Sequence, residues 1–295
     1  MMPLHSVIPL ILACLISAGH TAASEELFSG KKSLQHIVNQ TDFGPRSPDN
    51  PQAKRQTLNY IQQTLHTYTD QIQVQSFSSR GLSGNNLWAR ISGRGDGYIM
   101  LGAHWDTRPL HSSDSSAVNL GANDGASGVA VLLELARVVS QSAPPVTVDL
   151  VFFDLEDMGK IDGLPFAMGS KEFVKANPDY RPSAGVIVDM VCDKSLSIPR
   201  ERHSQKRAKA VLDQLWAIAA SQGATAFKNR RGTFITDDHL PFLDAGIPVV
   251  DLIHWPFPSY WHSRGDTLEN CSPHSLEQVG RVLEAFIYSH IPDGD

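Results

Sequence analysis

The chain has 295 residues, 41% hydrophobic and 19% charged, enough for one large α/β domain or two small ones. Its 25 Lys and Arg against 31 Asp and Glu leave a formal net charge of -6, which argues against a phosphate-backbone partner. No Lys/Arg cluster with interleaved aromatics reverses that argument, so no nucleic-acid partner is expected.

Taken in order, the chain opens with the apolar run Val7-Ile8-Pro9-Leu10-Ile11-Leu12-Ala13-Cys14-Leu15-Ile16, followed by the small residues Thr21-Ala22-Ala23. That pattern reads as a signal peptide over residues 1–23, although its n-region offers only His5. The run is too short to span a bilayer. A lipoprotein cleaved before Cys14 is the weaker alternative, because apolar residues continue past that cysteine. Either route predicts an exported protein, periplasmic or secreted. Only Cys192 and Cys271 would then remain, and a pair or two buried thiols are equally open.

The apolar spacing of Ala53, Leu58, Ile61 and Leu65 predicts a helix within residues 50–69. Short β runs follow at 72–77, 86–91 and 98–103, the last ending in His104-Trp105-Asp106. Helical spacing returns over 125–140, directly after Asn123-Asp124. The run Val146-Thr147-Val148-Asp149-Leu150-Val151-Phe152-Phe153 reads as a strand buried on both faces, in the middle of a parallel sheet. Acids begin where it stops, at Asp154-Leu155-Glu156-Asp157. A short helix at 169–176, a buried strand at 184–191 carrying Asp189, a helix at 205–222, a strand at 247–253 and a closing helix at 275–288 complete the pattern. Alternating strands and helices predict an α/β fold, a single α/β/α sandwich around a central mixed, mostly parallel sheet. No repeat or linker interrupts residues 24–295, which are expected to form one domain.

Ligands in open α/β sheets collect beyond the carboxyl ends of the strands. His104, Asp124, Asp157, Asp189 and His262 all fall at or just past such ends, or in the loops that follow. Each alone has an ordinary explanation: a hydrogen-bonded core histidine, a helix cap, a solvated or amide-paired acid, a loop histidine. Together they form the imidazole and carboxylate donor set that Zn²⁺ takes.

His104-Trp105-Asp106, Gly121-Ala122-Asn123-Asp124-Gly125-Ala126-Ser127-Gly128, Phe152-Phe153-Asp154-Leu155-Glu156-Asp157, Gly169-Ser170 and Tyr260-Trp261-His262 resemble the motif set of the zinc aminopeptidase superfamily. Within it, Asp237-Asp238-His239-Leu240-Pro241-Phe242, Gly246-Ile247-Pro248-Val249-Val250 and Pro256-Phe257-Pro258-Ser259-Tyr260-Trp261-His262 resemble the animal-type glutaminyl cyclases. The resemblance implies one zinc held by Asp124, Asp157 and His262, with Glu156 as proton shuttle and Asp189 and Asp237 as its acidic partners. It implies that Phe257 and Trp261 line the substrate pocket. Whether Asp237 or Asp238 faces the site stays open. The chain departs from the family at Asp157, where a glutamate is common, and at Asp251, where animal enzymes carry a histidine. It also departs over Met158 to Pro165, which lack the aromatic that many members carry.

The implied reaction converts an N-terminal glutamine of a peptide or protein to pyroglutamate with release of ammonia. The competing expectation is an exported dinuclear zinc aminopeptidase, with His104 and Asp189 joining as ligands of a second metal and Asp124 bridging. A non-catalytic binding domain on the same scaffold would have lost Glu156 or several ligands, and none is lost. A monomer acting on peptide N-termini is expected.

Overall fold

The computed structural model describes residues 27–110 and 118–290. The signal-peptide and Cys14 expectations lie outside the described residues. The elements run α1 Gly30–Thr41, α2 Pro51–His66, β1 Ile72–Ser79, β2 Leu82–Ile91, β3 Tyr98–His104, α3 Ala126–Gln141, β4 Thr147–Phe153 and α4 Met168–Ala176. They continue with β5 Ala184–Asp189, β6 Ile198–Arg200, α5 Arg202–Arg207, α6 Lys209–Ser221, β7 Phe227–Arg231, α7 His239–Asp244, β8 Val249–Ile253 and α8 Pro273–Ser289.

Local chemistry sets several of these boundaries. Asn50 accepts from Ala53 N–H and is followed by Pro51, so a side-chain cap and a pre-set φ start α2 together. Ser272 and Pro273 start α8 in the same way.

One six-stranded sheet has the order β1-β2-β4-β3-β5-β8. β3, β4, β5 and β8 are parallel, whereas β2 pairs antiparallel with both β1 and β4. The apolar run at β4 is therefore buried on both faces, as expected, but is parallel on one side only, a correction to its expected place in the middle of the parallel strands of this mixed sheet. Side chains alternate across the sheet. Ile99, Leu101, Val148, Leu150 and Phe152 enter the core shared with α1, α3 and α8. Met100, Val151 and Phe153 enter the opposite core, against Phe173 of α4 and Phe242 of α7. Each such burial contributes roughly 2 kcal/mol. A one-residue slip would exchange the two cores, so this pattern fixes the register that delivers His104 opposite Phe153.

The expected helix over 205–222 is two helices. Ala208 leaves helical geometry at φ -131°, and Glu201 caps the shorter α5 ahead of it. α1, α7 and the parallel pair β6 and β7 have no counterpart among the expected elements. Cys192 and Cys271 form a disulfide. No described helix is long and apolar enough to cross a membrane.

Candidate active site and metal centre

Because β3, β4, β5 and β8 are parallel, their carboxyl ends share one rim. β3 ends on His104 and β5 on Asp189, while the turn after β4 carries Glu156 and Asp157. Asp124 stands just before α3, and His262 lies in the loop after β8. Gly125 is required here: a Cβ would stand 2.4 Å from the His104 ring. Gly128 lets α3 settle on the sheet, since a Cβ there would meet the Val188 carbonyl oxygen at 2.0 Å.

Two buried carboxylates aim the site without entering it. Asp106 accepts the backbone N–H groups of Glu156 at 3.0 Å and Asp157 at 3.2 Å. Asp266 accepts those of Asn123 at 2.7 Å and Asp124 at 3.0 Å. Non-glycine residues with left-handed backbone cluster at the same rim: Leu155 at φ 59°, Lys160 at 67°, Met190 at 48° and His262 at 55°. Each costs on the order of 1–2 kcal/mol, held by the surrounding packing.

The five sequence-derived donors converge. His262 Nε2 lies 2.9 Å from Asp157 Oδ1 and 3.4 Å from Asp124 Oδ2. His104 Nε2 lies 3.0 Å from Asp124 Oδ1 and 3.2 Å from Asp189 Oδ1. Asp124 is thus common to two triads, Asp124/Asp157/His262 and His104/Asp124/Asp189, in each of which one ligand atom per residue lies within 4.8 Å of the others. The donor types suit a divalent metal such as zinc. Asp157 Oδ2 is buried with no hydrogen-bond partner, as a carboxylate oxygen reserved for a ligand would be.

The electrostatics are those of carboxylates crowded out of water. Burial pushes the Asp157 carboxyl up to about 6, with Asp124 adding to it, and pushes Asp189 up to about 7. Burial also opposes charge on Asp124, yet both histidines hold it far below the usual range. His262 is disfavoured as a cation by burial, but Asp124 and Asp157 outweigh that and raise it to about 9. Burial first, then Asp237, raises Glu156 well above an ordinary glutamate.

Glu156, Asp189, Asp237, Phe257 and Trp261 line the same cavity as Asp124, Asp157 and His262, a space of about 230 Å³. His104 stands behind it. Asp237 lines the cavity and the fully buried Asp238 does not. Trp261 stacks on His262 with ring centroids 3.6 Å apart, and Phe257 packs on Trp261 at 4.3 Å. A larger hollow of about 670 Å³ lies against α8 but is lined by none of these donors, so chemistry rather than size selects the site.

Sequence reasoning missed Asp106, Asp266 and the apolar lining residues Phe166, Met190 and Ile235. Phe166 was within reach. An aromatic does line the cavity from the loop after β4, one residue beyond Met158 to Pro165, and its ring lies where a Cβ on Gly159 would be, 2.1 Å away. Behind Asp237, the buried Asp251 approaches His239 Nδ1 at 3.7 Å, and His239 Nε2 faces Glu201 at 3.4 Å.

Residues 86–287 match the model of peptidase family M28. A glutaminyl-peptide cyclotransferase-like protein of Bos taurus is 26% identical over 280 residues, covering 84% of this chain and 72% of that protein. The crystal structure of Bacteroides thetaiotaomicron glutaminyl cyclase bound to N-acetylhistamine superposes with a TM-score of 0.83 at 30% identity, covering 90% of this chain and 99% of that one. A Zn-dependent exopeptidase from Parabacteroides distasonis superposes with the same score and identity, over 90% and 100% of the two chains.

Proposed function

The chain belongs to peptidase family M28, and on that premise we propose that it is a zinc-dependent glutaminyl-peptide cyclotransferase, acting on N-terminal glutamine of peptides and proteins. Asp124, Asp157 and His262 would hold the metal, which when bound supplies a Lewis acid for the γ-carboxamide of the substrate. Phe257, Trp261 and Phe166 bound a space suited to one glutamine side chain and give it an aromatic wall. Glu156 accepts a proton from the α-amine as that amine attacks the carbonyl carbon (Cδ) of the γ-carboxamide, and returns it to the nitrogen that departs from that carbon as ammonia. Asp189 and Asp237 keep that proton exchange within a buried acidic group.

The observation that carries this reading is Glu156: a carboxyl next to ligand candidate Asp157, facing an aromatic-walled cavity, and held by burial and Asp237 well above the ordinary range of a glutamate. The relatives named as glutaminyl cyclases support it. The His104, Asp124 and Asp189 triad favours the second reading, a dinuclear zinc aminopeptidase in which Glu156 would take its proton from water instead. The Cys192–Cys271 disulfide supports an exported setting, since such bonds persist in oxidising compartments. Residues 24–295 would then be the catalytic domain of a monomer.

Mass spectrometry of the purified protein with zinc, a peptide beginning with glutamine and one beginning with leucine tests this. Loss of ammonia from the first alone is expected. Stepwise loss of the N-terminal residue from either would establish the aminopeptidase instead.

A further inference from the structure

We propose that Lys160 forms a subsite selecting peptides with an acidic residue immediately after the N-terminal glutamine. The proposal rests on the cyclase reading and deepens it. Among the described residues lining the cavity, Asp124, Glu156, Asp157, Asp189 and Asp237 are acids, and Lys160 is the only lysine or arginine. The acids are buried, whereas Lys160 is exposed, so the cationic lining lies at the mouth and the anionic lining at the floor. A glutamine with its α-amine at Glu156 and its carboxamide at the metal ligands fills the floor. Its own carbonyl and the next residue must then leave through the mouth.

Two features make Lys160 more than a solvated surface lysine. Its backbone is pinned: the N–H donates to the Leu164 carbonyl at 2.7 Å, closing a turn against which Phe166 packs at Gly159. The lysine holds φ 67° there, a conformation that glycine would adopt without penalty. Its ammonium, by contrast, has no hydrogen bond or ion pair among the described residues, including with Asp162 in the same turn. A fixed base and an unengaged cation at the exit of an acidic cavity suit a substrate carboxylate. The same charge disfavours a basic residue at that position, which is how rim charges discriminate.

A free C-terminal carboxylate of a short peptide offers the same chemistry, so the test uses C-terminally amidated peptides beginning Gln-Glu, Gln-Ala and Gln-Lys. Ammonia release is followed at low ionic strength. In the wild-type protein kcat/KM for Gln-Glu should exceed that for Gln-Lys by about fivefold or more, the upper end of what an exposed ion pair supplies, and the ratio should shrink in high salt. In Lys160→Ala the ratio should fall towards one, and in Lys160→Glu it should invert. Using a ratio cancels any general loss of activity in a variant. A wild-type ratio near one with Gln-Ala still cyclised, or a preference that survives in Lys160→Ala, would overturn the subsite and leave the cyclase reading intact. Failure of all three peptides would overturn both.

Discussion

Burial and Asp237 hold the Glu156 carboxyl far above its ordinary range, one residue from ligand candidate Asp157. Glu156→Gln keeps the side-chain volume and removes the exchangeable proton. Turnover of a glutamine peptide should therefore fall by about 10²-fold to 10⁴-fold, with zinc content by metal analysis unchanged. Retention of kcat within tenfold would remove Glu156 from proton transfer. His104, Glu156, Asp157 and Asp189 were legible because each sits at or beside a strand end that the hydrophobic pattern locates, whereas Asp124, ahead of α3, and His262, in the loop after β8, were picked out by their motifs. Asp106 and Asp266 were not. They act through backbone N–H groups 50 and 51 residues away for Asp106 and 142 and 143 residues away for Asp266, and nothing local marks a carboxylate for that role.

α5 shows how a short element can hold a site that it does not touch. Glu201 caps it by accepting from His203 N–H at 2.9 Å and Ser204 N–H at 2.6 Å, and it also accepts from Ile235 N–H at 3.2 Å. Ile235 lines the cavity. Burial alone would raise this carboxyl, but His239 and the backbone amides outweigh it and bring it down to about 2. A folded pKa below the unfolded value of about 4.3 means that its stabilisation, roughly 3 kcal/mol, is complete above about pH 5. It is lost as pH falls towards 2. Glu201→Gln should accordingly be less stable than wild type at pH 7 by about that amount in urea unfolding, with the gap closing between pH 5 and 2.5. Parallel acid destabilisation of the two proteins would assign the effect to other groups. The sequence pattern ran the end of α5 into α6 because Gln205, Lys206, Arg207 and Ala208 include no Gly or Pro to mark a break; the break goes with the Glu201 cap and with contacts from β8 and α7, such as Asp251 N–H to Ser204 Oγ, that periodicity cannot register.

Across the whole molecule, alternating strand and helix patterns were enough to predict the mostly parallel sheet and its rim, but not that β4, buried on both faces, pairs antiparallel with β2. The long-range closure was not legible: two cysteines separated by 79 positions admit a bond or two thiols until the fold brings them together. The bond joins the segment that follows Asp189, whose Met190 lines the cavity, to the segment that follows Asp266, the carboxylate that holds the Asp124 backbone. Closing a loop of that length contributes about 4 kcal/mol in the chain-entropy view. Backbone pairing holds the same segments independently, through Ser272 N–H to the Cys192 carbonyl at 2.7 Å and Lys194 N–H to the Asn270 carbonyl at 3.0 Å. Cys192 N–H also donates to the Asn123 side chain at 3.0 Å, beside ligand candidate Asp124. Stability and local geometry therefore separate. The Cys192→Ala/Cys271→Ala double variant should lose up to about 4 kcal/mol and melt several degrees lower, while its kcat/KM at 25 °C stays within about tenfold of wild type. An unchanged melting temperature would mean that the unfolded chain gains little freedom without the bond. A collapse of activity in the still-folded variant would mean that the disulfide, rather than the backbone pairing, sets the position of Asp124.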